Sequence, residues 1–198
     1  ENTDDPGTDT QGTDTQGSDD DGFGESDRTL KLTNATMSTL DPVASTDVPN
    51  GRVIQQVFEP LMNYPNGEIE VETLLATDYE VSDDFTTYTF NIKEDVQFHN
   101  GDTVTASDFV YSFERLTASP NSRRAYFATS ALGIEHETDS EGNYEPGTLG
   151  VTAVDETTLE IQLSSPFHSV LPMLAYTAFG VVPEGLVDDT PGYDGEMG

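Results

Sequence analysis

The chain has 198 residues with 7 Lys+Arg against 38 Asp+Glu, a formal net charge of -31, and neither cysteine nor tryptophan. Such an anionic chain repels phosphate backbones and has few cations with which to release counterions, which argues against nucleic-acid partners. Without cysteine there is no disulfide framework, no thiolate metal site and no cysteine nucleophile.

Residues 1–27 contain no Lys or Arg and one large apolar residue, Phe23, among the repeats Gly7-Thr8-Asp9-Thr10-Gln11 and Gly12-Thr13-Asp14-Thr15-Gln16. Such a segment cannot bury a core and reads as a disordered, self-repelling linker. It is either a tether holding the folded part away from a surface or a nonspecific acidic tail. No later run approaches the ~18 apolar residues of a membrane span, and any signal peptide is expected to have been removed. The acidity continues past residue 28, where Lys31 and Lys93 are the only lysines. Carboxylates at that density repel one another at low salt and are screened at molar salt, so a halophilic source is expected. A calcium-binding surface is the alternative, but no twelve-residue EF-hand loop is present.

From residue 28 the pattern predicts mixed α and β structure. Leu30 to Asn34 is a short strand candidate, followed by a turn at Thr39-Leu40-Asp41-Pro42. Val53, Ile54, Val57, Phe58, Leu61 and Met62 recur at helical spacing, with Pro49 suited to the first turn, and predict one helix across that stretch. Tyr88, Phe90 and Ile92 alternate with polar residues after the turn Ser82-Asp83-Asp84, which predicts a hairpin. Leu159, Ile161 and Leu163 alternate in the same way after Val151–Val154 and the turn Asp155-Glu156, which predicts a second. Between the hairpins, Asn100-Gly101 suits a tight turn. Thr105 can cap a helix whose third residue is Asp108 and whose apolar face is Phe109, Val110, Phe113 and Leu116.

These residues carry a resemblance. Thr39-Leu40-Asp41-Pro42, Phe58-Glu59-Pro60-Leu61-Met62, Glu80-Val81-Ser82-Asp83-Asp84, Phe98-His99-Asn100-Gly101 and Thr105 to Arg115 resemble, in order and spacing, the extracellular solute-binding proteins of family 5. These are the dipeptide and oligopeptide receptors of ABC importers. Val154 to Leu159, Ser165-Pro166-Phe167 and Val181-Val182-Pro183-Glu184 extend the likeness over everything after the tether.

The resemblance implies a mixed α/β fold of the periplasmic-binding-protein type (class II), with two lobes closing on a ligand. Family members are more than twice as long, so the chain is expected to be the N-terminal part. Residues 28–49 and 165–198 are expected in lobe one and 50–164 in a β-rich inserted subdomain. The implied function is to capture peptides and deliver them to an ABC permease. The expected protein is a haloarchaeal monomer outside the membrane, anchored by a lipid-modified Cys ahead of Glu1, with no cofactor and no metal. Family receptors hold an extended peptide partly through the backbone just after the Leu-Asp-Pro turn, which falls here on Thr46, Asp47 and Val48. Oligopeptide binders often carry an acidic residue where Thr46 falls. Tyr126 matches a family tyrosine that reaches the ligand, with a core aromatic as the alternative. Relatives that bind a sugar or metal chelate, or a secreted hydrolase using paired carboxylates, are the competing readings.

Other residues read as structural. His99 beside Asp102 lacks a nucleophile or third orienting group, and His136 and His168 lack spaced partners for a metal. The pair Arg123-Arg124 faces either an acidic ligand or surface carboxylates, with surface pairing preferred. Tyr111 and Phe113 are expected to pack in the helix interface.

Overall fold

The computed structural model describes residues 35–65 and 68–185. The acidic segment 1–27, the strand expected at Leu30 to Asn34 and the last thirteen residues lie outside that range.

The chain enters through a turn at Pro42–Ala44 and forms helix α1, Val48–Val57. Asp47 caps the helix: its Oδ1 accepts the Asn50 N–H at 2.9 Å, satisfying one of the orphan donors of the first turn. Pro49 occupies the first turn, where a missing N–H costs nothing. The helical spacing through Met62 predicts a longer helix than the one formed. Phe58 is already extended, at φ -115° and ψ 134°, and Leu61 and Met62 lie beyond the helix. Pro60 is the cause, because its ring disfavours helical geometry at Glu59 and it has no N–H to donate. Met62 instead enters strand β1, Met62–Asn63, which pairs antiparallel with β2, Glu72–Thr73.

Both predicted hairpins form: β3 (Ala76–Val81) with β4 (Thr87–Ile92), and β5 (Val151–Ala153) with β6 (Thr158–Gln162). They also join one another, which spacing alone does not reveal. β4 pairs antiparallel with β6, with Phe90 opposite Leu159 and Tyr88 opposite Ile161, giving one four-stranded sheet in the order β3-β4-β6-β5. Tyr88, Phe90, Ile92, Val151, Leu159 and Ile161 are buried, while Thr89 and Asn91 are less so.

Helix α2, Ala106–Ala118, packs on β5 and β6 and supplies buried Phe109, Phe113 and Leu116. Its start is fixed by the expected residues, since Asp108 Oδ2 accepts both the Thr105 N–H (2.8 Å) and the Thr105 hydroxyl (2.9 Å). Gly101 takes φ +93° in the preceding turn, where a side chain would be strained. Glu114 accepts from the Tyr144 hydroxyl (2.9 Å) and the Gly147 N–H (2.8 Å), so α2 also holds the loop between the hairpins. Burial, then the Glu114 carboxylate, pushes the Tyr144 phenol well above its usual range.

After β6 the chain returns through a short helix α3, Val170–Leu174, and a 3-10 turn at Thr177–Phe179. Phe179 stacks on Phe113 with ring centroids 5.2 Å apart. Buried Ser112 accepts the Val182 N–H at 3.0 Å while donating to Asp108 O at 2.7 Å, and Val181 N–H reaches Glu59 O at 3.1 Å. Gly180 admits this return, because a Cβ there would sit 2.9 Å from Phe58 Cβ. No helix among the described residues is long and apolar enough to cross a membrane.

Candidate functional site

Asp41 organises the segment that carries the expected contact residues. Its Oδ1 accepts the Val43 N–H (3.1 Å), its carbonyl accepts the Ser45 N–H (3.1 Å), and its own N–H donates to Thr39 Oγ1 (3.0 Å). These are the local bonds of an Asp-Pro turn. The carboxylate also takes both ends of the Arg115 guanidinium, at 2.8 and 2.5 Å, with the side chains 1% and 8% exposed for Arg115 and Asp41. The planar fork of arginine matches a carboxylate in this bidentate way. Helix α2 therefore grips the turn from 74 residues away.

Two further links continue the clamp. Arg123 N–H donates to Val43 O (3.0 Å), and Arg124 Nε–H donates to Ser45 O (2.8 Å). Ser45 is buried, and the next three residues, Thr46, Asp47 and Val48, emerge exposed. They line one wall of a cleft of about 350 Å³. Arg52, Arg124 and Tyr176 line it as well, with Tyr64 and Gln55.

The expected contact residues differ in how much of their chemistry is already used. Thr46 makes no hydrogen bond among the described residues, so its main-chain N–H and C=O are available. Asp47 is engaged: besides the Asn50 N–H, its Oδ2 accepts from Asn50 Nδ2 (3.0 Å) and the Ser38 hydroxyl (3.3 Å). Val48 is 67% exposed, a large apolar surface for the first residue of a helix. Tyr126 is not on the cleft wall. It is 51% exposed and stacks on Phe127 at 4.2 Å, and Phe127 meets the cleft residue Tyr176 edge-on at 4.9 Å. Tyr126 thus stands one ring removed from Tyr176. It precedes a π-helical turn, Phe127–Ala131, closed by Leu132 N–H to Phe127 O, a widened geometry often found at functional sites.

Arg124 corrects the preference for surface pairing with carboxylates. Its guanidinium lies over the Phe127 ring at 5.6 Å and the Tyr176 ring at 5.4 Å, an attraction between a cation and the negative ring faces. Arg124 and Tyr176 are the site residues that spacing did not single out as a pair. The one signal was the rarity of basic residues in so acidic a chain.

His99 lies in a different, larger cavity of about 530 Å³, walled by Phe98, Val57, Val104 and Val181. In its turn Asp102 bonds to Asn100, accepting Nδ2 at 2.7 Å and donating its N–H to Oδ1 at 3.0 Å, so Asp102 does not orient the imidazole. Phe113 is buried and Tyr111 half-buried. Among the described residues no three His, Asp or Glu side chains converge as metal ligands.

The family model for bacterial extracellular solute-binding proteins, family 5 (middle), matches residues 70–196. The chain is 37% identical over 155 residues to the periplasmic murein peptide-binding protein MppA of Escherichia coli, covering 76% of this chain and 28% of that protein. It is 32% identical over 173 residues to the oligopeptide-binding protein OppA of Bacillus subtilis, covering 84% of this chain and 31% of the relative. Among solved structures, the E. coli murein tripeptide binding protein MppA superimposes with TM-score 0.70 at 35% identity, over 76% of this chain and 30% of that one. Listeria monocytogenes OppA bound to peptide gives 0.66 at 30%, over 77% and 30%. The chain therefore spans about three tenths of the length of the relatives it matches.

Proposed function

Because the chain belongs to the family 5 extracellular solute-binding proteins, we propose that it is the first part of a receptor that captures peptides outside the cell and passes them to an ABC permease. Binding and delivery, without catalysis, are its role in this reading. The observation that carries it is Thr46: a main-chain donor and acceptor left unpaired at the wall of a cleft, on a segment pinned by Asp41–Arg115 and Arg124–Ser45. Unpaired main-chain groups are the means by which an added strand is recognised without regard to its side chains. Relatives named for murein peptide and oligopeptide binding support that reading.

In this reading Thr46, Asp47 and Val48 contribute mainly through the backbone, since the Asp47 carboxylate is occupied by its cap. Tyr126 lies at the rim. Residues 28–49 and 165–198 belong to lobe one, 50–164 to the inserted subdomain, and a second lobe completes the site. The protein acts as a monomer on the extracellular face of the cell membrane, through a lipid anchor ahead of residue 1. Its acidic excess suits a halophilic source.

Mass spectrometry of ligand carried by the purified full-length protein tests the function, with peptides the expected cargo. Calorimetry with a mixed peptide pool tests the two-lobe requirement: the full-length protein binds and residues 1–198 alone do not. A sugar or metal chelate in place of peptide, or tight binding by the short chain, would overturn the corresponding part.

A further inference from the structure

We infer that the cleft beside Thr46 is a carboxylate-selecting subsite in which Arg124, assisted by Arg52, receives an anionic group of the bound peptide; the inference rests on the peptide-receptor reading above. Charge supplies the first argument. Arg28 and Lys31 lie outside the described residues, which leaves five cations in a chain of net charge -31. Arg115 is committed to Asp41, whereas Arg52 and Arg124 line the same cleft. Asp47, the one acid among the described residues of the cleft wall, has its oxygens engaged by Asn50 and Ser38. The cleft is thus a local positive site on an anionic molecule.

Preorganisation is the second argument. Arg124 Nε–H is fixed on Ser45 O at 2.8 Å, and the guanidinium carbon lies 5.6 and 5.4 Å from the ring centroids of Phe127 and Tyr176. A guanidinium has five N–H donors, and its two terminal nitrogens make no hydrogen bond among the described residues. A fork held on one edge and drawn to two aromatic rings offers the remaining donors at little further entropic cost, in the geometry that a carboxylate accepts. The bond from Arg124 to Ser45 also places this fork next to the residue whose main chain is open, so a peptide paired at Thr46 brings a nearby carboxylate within reach. An acidic side chain and the peptide's own terminus offer the same chemistry.

Calorimetry on the full-length protein in concentrated KCl separates these cases with three probes: Ala-Glu-Ala, Ala-Gln-Ala and C-terminally amidated Ala-Gln-Ala. Loss of a charge-assisted pair corresponds to a drop of about tenfold to a hundredfold in affinity. That drop is expected between the first two probes if the side chain is held, or between the second and third if the terminus is. Either drop should shrink to about threefold or less in Arg124→Gln and persist in Arg123→Gln, whose exposed side chain lies outside the cleft. Arg124→Lys keeps the charge without the fork and should retain part of the selectivity. The comparison of probes in the unaltered protein needs no variant to fold. If the probes bind with no loss on either change, or with losses that Arg124→Gln leaves intact, the subsite is overturned and the receptor stands. If neither the probes nor a mixed peptide pool binds, the peptide reading falls and the subsite with it.

Discussion

Replacing Asp41 by Asn removes one charge from a pair whose partner, Arg115, is 1% exposed. The amide keeps an oxygen for the Val43 N–H and one guanidinium N–H but removes the carboxylate charge that faces the buried arginine. Breaking a buried pair from one side costs about 3–5 kcal/mol. For a cooperative unit of this size about 2–4 °C is lost per kcal/mol, so Tm should fall by ~6–20 °C in melts followed by circular dichroism. The same substitution loosens the turn that presents Thr46 to Val48, so peptide affinity should fall at temperatures where the variant is still folded. The double variant Asp41→Leu with Arg115→Met should recover most of the lost stability, because a buried ion pair is often no more stabilising than apolar residues of similar volume. It should not recover affinity, since no fork then grips the turn. A Tm for Asp41→Asn within ~2 °C of the parent, or a double variant less stable than the single, would refute the reasoning.

Ser112→Ala leaves the buried Val182 N–H without its acceptor and should cost about 1–3 kcal/mol, read by chemical denaturation. Phe85, 53% exposed, sits at φ +57° in the β3–β4 turn; Phe85→Asn, a residue that tolerates this region, should raise stability by about 0.5–1 kcal/mol. Asp155 accepts from the Thr157 N–H and the Thr158 hydroxyl, and these bonds hold its carboxyl below the ordinary 3.8. A depressed folded-state value means stability that is fully present above 3.8 and lost as pH falls through the lower value. The parent should therefore exceed Asp155→Ala in stability at neutral pH, and the gap should close in strong acid; a gap that is constant with pH would count against the assignment.

Much of the local structure is legible because it is written in short-range chemistry. The alternation Tyr88, Phe90, Ile92, the Thr105/Asp108 box and the Asn100-Gly101 turn each specify geometry within a few residues, and each appears where the pattern places it. The overlong helix shows one local signal overriding another. Leu61 and Met62 continue the helical period, but the exclusion at Pro60 is steric and stronger than a periodic preference. The site is less legible because its links are long-range. Asp41 and Arg115 both belong to recognisable motifs, yet nothing within either says that they meet across 74 positions. Likewise Arg124 reads as a surface cation until Tyr176, more than fifty residues later, supplies its second ring. Ser112 looks like an ordinary polar position on a helix until the returning Val182 claims it.

The net charge of -31 and the two guanidinium groups of the cleft act on different length scales, and salt separates them. Raising ionic strength from 0.1 to 1 M shortens the Debye length from ~10 to ~3 Å. Carboxylates spread over the surface repel one another across many ångströms, so this change removes most of their mutual repulsion and Tm should climb steeply over the range. The same far field repels an acidic peptide as it approaches. Contact with Arg124 is made at hydrogen-bond distance beside the edge-on rings of Phe127 and Tyr176, where screening ions have little room. The preference for Ala-Glu-Ala over Ala-Gln-Ala should therefore hold or increase as KCl is raised, opposite to the behaviour of an ordinary exposed ion pair. Melts that stay flat would remove the halophilic reading. A preference that collapses severalfold by 1 M would show that Arg124 acts through its distant field and does not grip a carboxylate.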